Sequence, residues 1–178
     1  MGTHKKVIDQ IKIDLKSDDK KILEKALTKT RDKGNEHLIT PLIELYSTTN
    51  QEDIKQEVKS IFSEIKNKNS VESLLIHLES ENNEIKELAL YALWSSGLDM
   101  TDYIPKVVEA ACSGNFMVIL EALTVLENLE GPFPEEDLLE ASTILQERLH
   151  EAEEGSEKDL ILSMNEVIQE FENQIDLS

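Results

Sequence analysis

Apolar residues recur along most of the chain at the three- and four-residue spacing of a single helix face. Four segments align without gaps on this pattern. They carry Ile22, Ala26 and Thr30; Ile54, Val58 and Phe62; Ile85, Ala89 and Leu93; and Val118, Ala122 and Leu126. Their first residues lie 32, 31 and 33 positions apart. A fifth segment, from Leu160 to Ile168, follows after 42, with a longer insertion around Pro132 to Gly155 ahead of it. Between these segments run companion stripes: Leu38, Ile39, Leu42 and Leu45; Val71, Leu74, Leu75 and Leu78; and Ile104, Val107, Val108 and Ala111. The polar links Thr48 to Asn50, Glu81 to Asn83 and Ser113 to Asn115 are short enough to force an antiparallel return.

Punctuation agrees with this division. Thr49 followed by Glu52 reads as a capping box and Ser156 followed by Asp159 as a looser one. Gly34, Gly97, Gly131 and Gly155 fall at expected helix ends. The last stripe, Leu160, Met164, Val167, Ile168, Phe171 and Ile175, opposes Glu166, Gln169, Glu170 and Asn173, as a terminal cap requires. The run Met117 to Leu120 is apolar all round, which predicts a helix covered on two sides. A near-constant period of this size marks a helical repeat array.

The stretch from Leu74 to Trp94 resembles a HEAT repeat: a leucine-rich first helix, a polar turn, then Ile85-Lys86 and an Ala-x-x-Ala-Leu pattern from Ala89 to Leu93. Residues 38–65 are similar, with Pro41 in the first helix and Ile54-Lys55 as the aliphatic-basic pair. The first and fourth units depart from the pattern, with Leu23 and Ile119 at the basic position. The Trp-x-x-Leu-Gly and terminal-proline signals of tetratricopeptide repeats are missing. The resemblance implies an all-α chain, a right-handed α-α superhelix forming a short solenoid of about five antiparallel helix pairs. It makes a single repeat domain, with units at 3–34, 35–69, 70–99, 100–131 and 132–178, whose second helices line a concave surface.

On the helix spanning 84–94, Ile85, Leu88, Ala89, Ala92 and Leu93 face the core. The spacing of Glu84, Glu87, Tyr91 and Trp94 then draws a second face. The equivalent positions one repeat later are Met117, Leu120, Thr124 and Glu127. Together they predict an apolar and aromatic patch among acids, with Trp and Tyr as anchors that bury large area at small entropic cost. The competing use of the chain's single Trp is to fill a gap between repeats.

Charge sharpens this expectation. The chain of 178 residues carries a net charge of −19, which disfavours nucleic acid and anionic membrane. Up to Asn69 there are 14 Lys and Arg against 12 Asp and Glu; from Ser70 onward, 4 against 25. A charged partner is therefore expected to be basic and to meet the C-terminal two-thirds. The 39% apolar share argues against wholesale disorder, and four prolines and six glycines leave room for long helices.

Candidate chemistry is sparse. Cys112 stands alone, in an apolar stretch that favours a buried small hydrophobe over a reactive thiol. Deoxyhypusine hydroxylases, which are HEAT-type stacks, bind iron through several His-Glu dipeptides; here His150-Glu151 is the single one, too few ligands for a metal. HEAT-like alkylpurine DNA glycosylases use a positive face, the opposite of this charge. Glu135, Glu136 and Asp137 follow Pro134 and suit a helix start. Glu151, Glu153 and Glu154 read as a solvated run, and Lys21, Lys25, Lys29 and Lys33 as an exposed stripe. No apolar stretch approaches a membrane span or signal peptide, and Lys6 stands where a myristoylation signal needs Ser or Thr, so a cytoplasmic location is expected.

The sequence thus predicts a non-enzymatic interaction scaffold with no cofactor and no metal. It would bind a basic or amphipathic protein segment through Glu84, Glu87, Tyr91, Trp94, Leu120 and Glu127. A HEAT-like enzyme or lyase subunit, active only with a partner chain, is the alternative. Nucleic-acid binding through the lysine-rich first repeats ranks third.

Overall fold

The computed structural model describes residues 2–176; Leu177 and Ser178, which end the fifth predicted unit, lie outside the described residues. Ten α-helices follow one another: α1 (Gly2–Asp14), α2 (Lys20–Lys33), α3 (Ile39–Thr48), α4 (Glu52–Ser63), α5 (Ser70–Leu78), α6 (Asn83–Ser95), α7 (Ile104–Cys112), α8 (Phe116–Glu127), α9 (Glu135–Glu151) and α10 (Ser156–Asp176). Two 3-10 turns, Glu36–Leu38 and Thr101–Tyr103, lead into α3 and α7, and no strand occurs among the described residues. The even-numbered helices pack side by side in chain order, α2 on α4 through to α8 on α10. The series α3, α5, α7 and α9 packs likewise in a second layer. This two-layer stack is an all-α solenoid.

Polar caps set the register of the inner turns. Asp19 accepts from the Lys21 N–H, Asn82 from Glu84 and Asn115 from Val118, each satisfying a free amide at a helix start. The predicted capping box at Thr49 does not form. Gln51, in extended conformation and with no side-chain cap bond, is the residue that precedes α4. The chain therefore enters the helix two residues later than the box needs. Thr49 instead accepts from the Gln51 N–H at 3.2 Å, and Glu52 takes the Gln56 amide at 2.7 Å. Gly97 closes α6 with φ of +68°, a conformation that favours glycine.

One continuous core runs the length of the stack. Val71, Leu74, Leu75 and Leu78 are buried, as are Ile104, Val107, Val108 and Ala111, as their stripes predict. On α6, Leu88, Ala89, Ala92 and Leu93 are buried, and Ile85 is half-buried against the core. In α10, Met164, Ile168 and Phe171 turn inward, while Glu166, Gln169, Glu170 and Asn173 are exposed. The 42-residue spacing before α10 comes from structure rather than loose insertion. Most of the extra chain is helical, because α9 has 17 residues where α3 has 10 and α5 and α7 have 9.

The helix carrying Met117 to Leu120 is covered on two sides, by α6 and α10, as its apolar run predicts, and it also packs on α7. Val118 and Ile119 are fully buried, while Met117 and Leu120, on the remaining side, are 40% and 36% exposed. Lys86, from the aliphatic-basic pair, is 5% exposed. Its ammonium donates to the carbonyl and hydroxyl of Ser113, tying α6 to the C-terminal end of α7.

Candidate interaction surface

The predicted residues lie on α6 and α8, where Leu120 and Glu127 are exposed and Glu84, Glu87, Tyr91 and Trp94 are half-buried. Tyr91 and Trp94 are one turn apart on α6 and half-buried, and their rings meet edge to face with centroids 5.4 Å apart. The Trp94 indole N–H donates to Glu121 Oε2 on α8 at 2.5 Å. Trp94 is therefore neither a pure core residue nor a free surface one. Its polar edge is satisfied across the repeat boundary while part of the ring remains accessible. Leu120 adjoins Glu121 on α8, and Met117 lies one turn before Glu121. Glu127 is exposed, with no ion-pair partner among the described residues.

The remaining two predicted residues have partners within the chain. Glu84 pairs with Lys55 of α4, and Glu87 lies 3.9 Å from Lys59 of the same helix. Both lysines also sit over aromatic faces: Lys55 is 4.9 Å from the Tyr46 ring centroid and Lys59 is 5.1 Å from that of Tyr91. An ammonium between a carboxylate and a ring is thus used twice in succession. Tyr46 is buried, and burial together with the nearby carboxylates Glu87, Glu84, Glu52 and Glu121 pushes its hydroxyl up to about 12. Glu121 is raised above its usual carboxylate range, first by burial and then by Glu87, against the lowering effects of the Trp94 bond and Lys59.

Lys59, Tyr46 and Glu121 were not singled out in the sequence, and Lys55 was noted only as half of an aliphatic-basic pair. The signal was present but offset. Equivalent positions in this chain are 31 to 33 residues apart, yet several contacts across repeats join residues separated by 27 to 29, as in Trp94 to Glu121, Arg31 to Ser60 and Lys55 to Glu84, while others such as Lys20 to Asp53 keep a spacing of 33. At Trp94 and Glu121 the contact falls about one turn short of the repeat.

Cys112 is half-buried rather than fully buried, and desolvation pushes its thiol up to about 11. His77 and Thr40 share a 3.1 Å hydrogen bond, while His150 is exposed near the end of α9. Among the described residues no group of three or more His, Cys, Asp or Glu is placed to hold a metal ion. Lys21, Lys25, Lys29 and Lys33 are exposed along α2, with Lys29 3.6 Å from Asp14. No described helix is long and apolar enough to cross a membrane.

No protein-family model and no curated protein sequence matches the chain. Among solved structures, it is similar to the designed armadillo repeat protein YIII(Dq)4CqI, at 14% identity over 90% of this chain and 99% of that one, with a TM-score of 0.35. That superposition is loose, and the architecture is read instead from the helix order and the layer contacts. On those grounds the chain is a helical repeat solenoid.

Proposed function

We propose that this solenoid is a non-enzymatic interaction module that binds a basic or amphipathic protein segment across α6 and α8. The observation carrying this reading is the Trp94–Glu121 bond, which joins the Tyr91–Trp94 pair of α6 to the helix that carries the exposed Met117, Leu120 and Glu127. Aromatic and aliphatic anchors of this kind supply desolvated contact area, and the acidic border supplies long-range attraction. Glu84 and Glu87 take a lesser part, since Lys55 and Lys59 already offset their charge. The acidic pull on a partner is therefore centred on α8.

Affinity capture from the native cell extract, at low and high salt, tests the reading when parent, Trp94→Ala and Glu127→Gln are compared. A protein retained by the parent should be lost with Trp94→Ala and captured more weakly at high salt. Glu127→Gln should slow association and flatten the salt dependence. Capture that ignores both substitutions, in variants shown to be folded, would remove α6 and α8 as the site.

A further inference from the structure

The face along α4, α6 and α8 holds two lysines, Lys55 and Lys59, against three carboxylates, Glu84, Glu87 and Glu121. Lys55 pairs with Glu84 and Lys59 with Glu87, whereas Glu121 has no ion pair within 4 Å among the described residues and feels Lys59 only at longer range. The basic residues beyond it in sequence are few and distant from this role: Arg148 on α9 and Lys158, which pairs with Glu154. Earlier ones are also engaged, Lys86 on Ser113 and Lys106 with Glu79. Glu121 Oε2 accepts the indole N–H of Trp94, and Oε1 has no hydrogen-bond donor among the described residues. The carboxylate is therefore held at one oxygen, beside an indole ring, with the aliphatic Leu120 and Met117 next to it.

We propose that Glu121 and Trp94 form the seat for one arginine side chain of the partner, whose neighbouring apolar residue packs on Leu120 and Met117. This rests on the functional reading above and names the recognised group. Arginine fits better than lysine for a geometric reason. A planar guanidinium bonds a carboxylate through two parallel N–H groups while its flat face stacks on an aromatic ring. The chain sets its own cations, there ammonium groups, between a carboxylate and a ring at Lys55 with Glu84 and Tyr46 and at Lys59 with Glu87 and Tyr91. At the third position the carboxylate and ring come from this chain and the cation comes from the partner. Burial raises the Glu121 carboxyl and weakens its hydration, which strengthens its attraction for a cation that enters the same site.

The test selects short random peptides displayed on phage against the intact chain and against Glu121→Gln, whose amide oxygen still accepts the Trp94 N–H. The parent should enrich peptides with an arginine within one helical turn of a large apolar residue. Replacing that arginine by Gln, or Glu121 by Gln, should each weaken binding about tenfold, and making both changes should cost little more than one. Peptides that need Trp94 but not arginine or Glu121 would overturn the seat and leave the surface reading standing. Equal binding when lysine replaces arginine would overturn the stacked guanidinium. Peptides indifferent to Trp94→Phe, or no enrichment at all, would overturn the seat and the functional reading together.

Discussion

Leu93 sits where the solenoid's repeat-to-repeat coupling is most exposed to test. It is fully buried on α6, the helix that packs on α4 before it and α8 after it. Leu93→Ala removes three carbons, worth roughly 2.5 kcal/mol of transfer free energy at about 0.8 kcal/mol each. The residual cavity adds to this, because the helices packed around α6 close in only in part, giving a total loss of about 3–4 kcal/mol. Glu87→Ala on the same helix is the control. It disrupts an ion pair whose two side chains are 25% and 24% exposed, so its cost should stay below about 1 kcal/mol. Urea denaturation followed by far-UV circular dichroism reports the whole stack, while fluorescence of the single tryptophan, Trp94, reports the α6–α8 boundary. In a nearest-neighbour solenoid the loss at Leu93 falls on that boundary, so the fluorescence midpoint of Leu93→Ala should drop at least as far as the dichroism midpoint. Equal effects of the two substitutions, or a loss under about 1 kcal/mol for Leu93→Ala, would refute this assignment of the faces of α6.

Four further outcomes are expected. Cys112, with its thiol pushed up to about 11, should react with iodoacetamide far more slowly in the folded chain than in urea; equal rates would show an open thiol. Burial holds the His77 ring below its ordinary value of 6.5, so the fold favours its neutral form. The stability this gives is present above the unfolded value and is lost as pH falls through the folded one, so acidification to about pH 5 should destabilise the parent more than His77→Gln. For Glu121 the folded value is raised, so its contribution is present below the unfolded value and lost as pH rises through the folded one. The stability of Glu121→Gln relative to parent should therefore increase between about pH 4 and about pH 7, and a falling trend in urea titrations would contradict the burial of this carboxylate. Gly97→Ala should cost about 1 kcal/mol by thermal denaturation, because φ is +68° although no atom lies within 4 Å of the added carbon.

The sequence showed the array clearly because each helix needs a wide apolar face, and faces such as Val71 to Leu78 and Ile104 to Ala111 repeat with little variation. Tyr91 and Trp94 were legible for the same reason, as residues left over once the core positions of α6 were assigned. Glu121 was hidden by the offset between a sequence repeat and a contact across it. The fates of Lys55, Lys59 and Lys86 were hidden because a lysine stem reaches several ångströms, far enough to meet a carboxylate, a ring or a loop carbonyl on another element. Helical periodicity fixes the direction in which a side chain leaves its own helix but carries no information about what stands there. The partial exposure of Met117 and Leu120 depends similarly on how far α6 and α10 wrap around α8, a matter of packing between helices.

The central claim is that the second-helix layer at α6 and α8 is where a partner docks. Hydrogen–deuterium exchange of the chain, alone and saturated with a captured partner or selected peptide, tests it most directly. The prediction is slowed exchange in 83–95 and 116–127, with α3, α5 and α7 unchanged. Protection concentrated on α3, α5 and α7, with α6 and α8 exchanging as in the free chain, would contradict it.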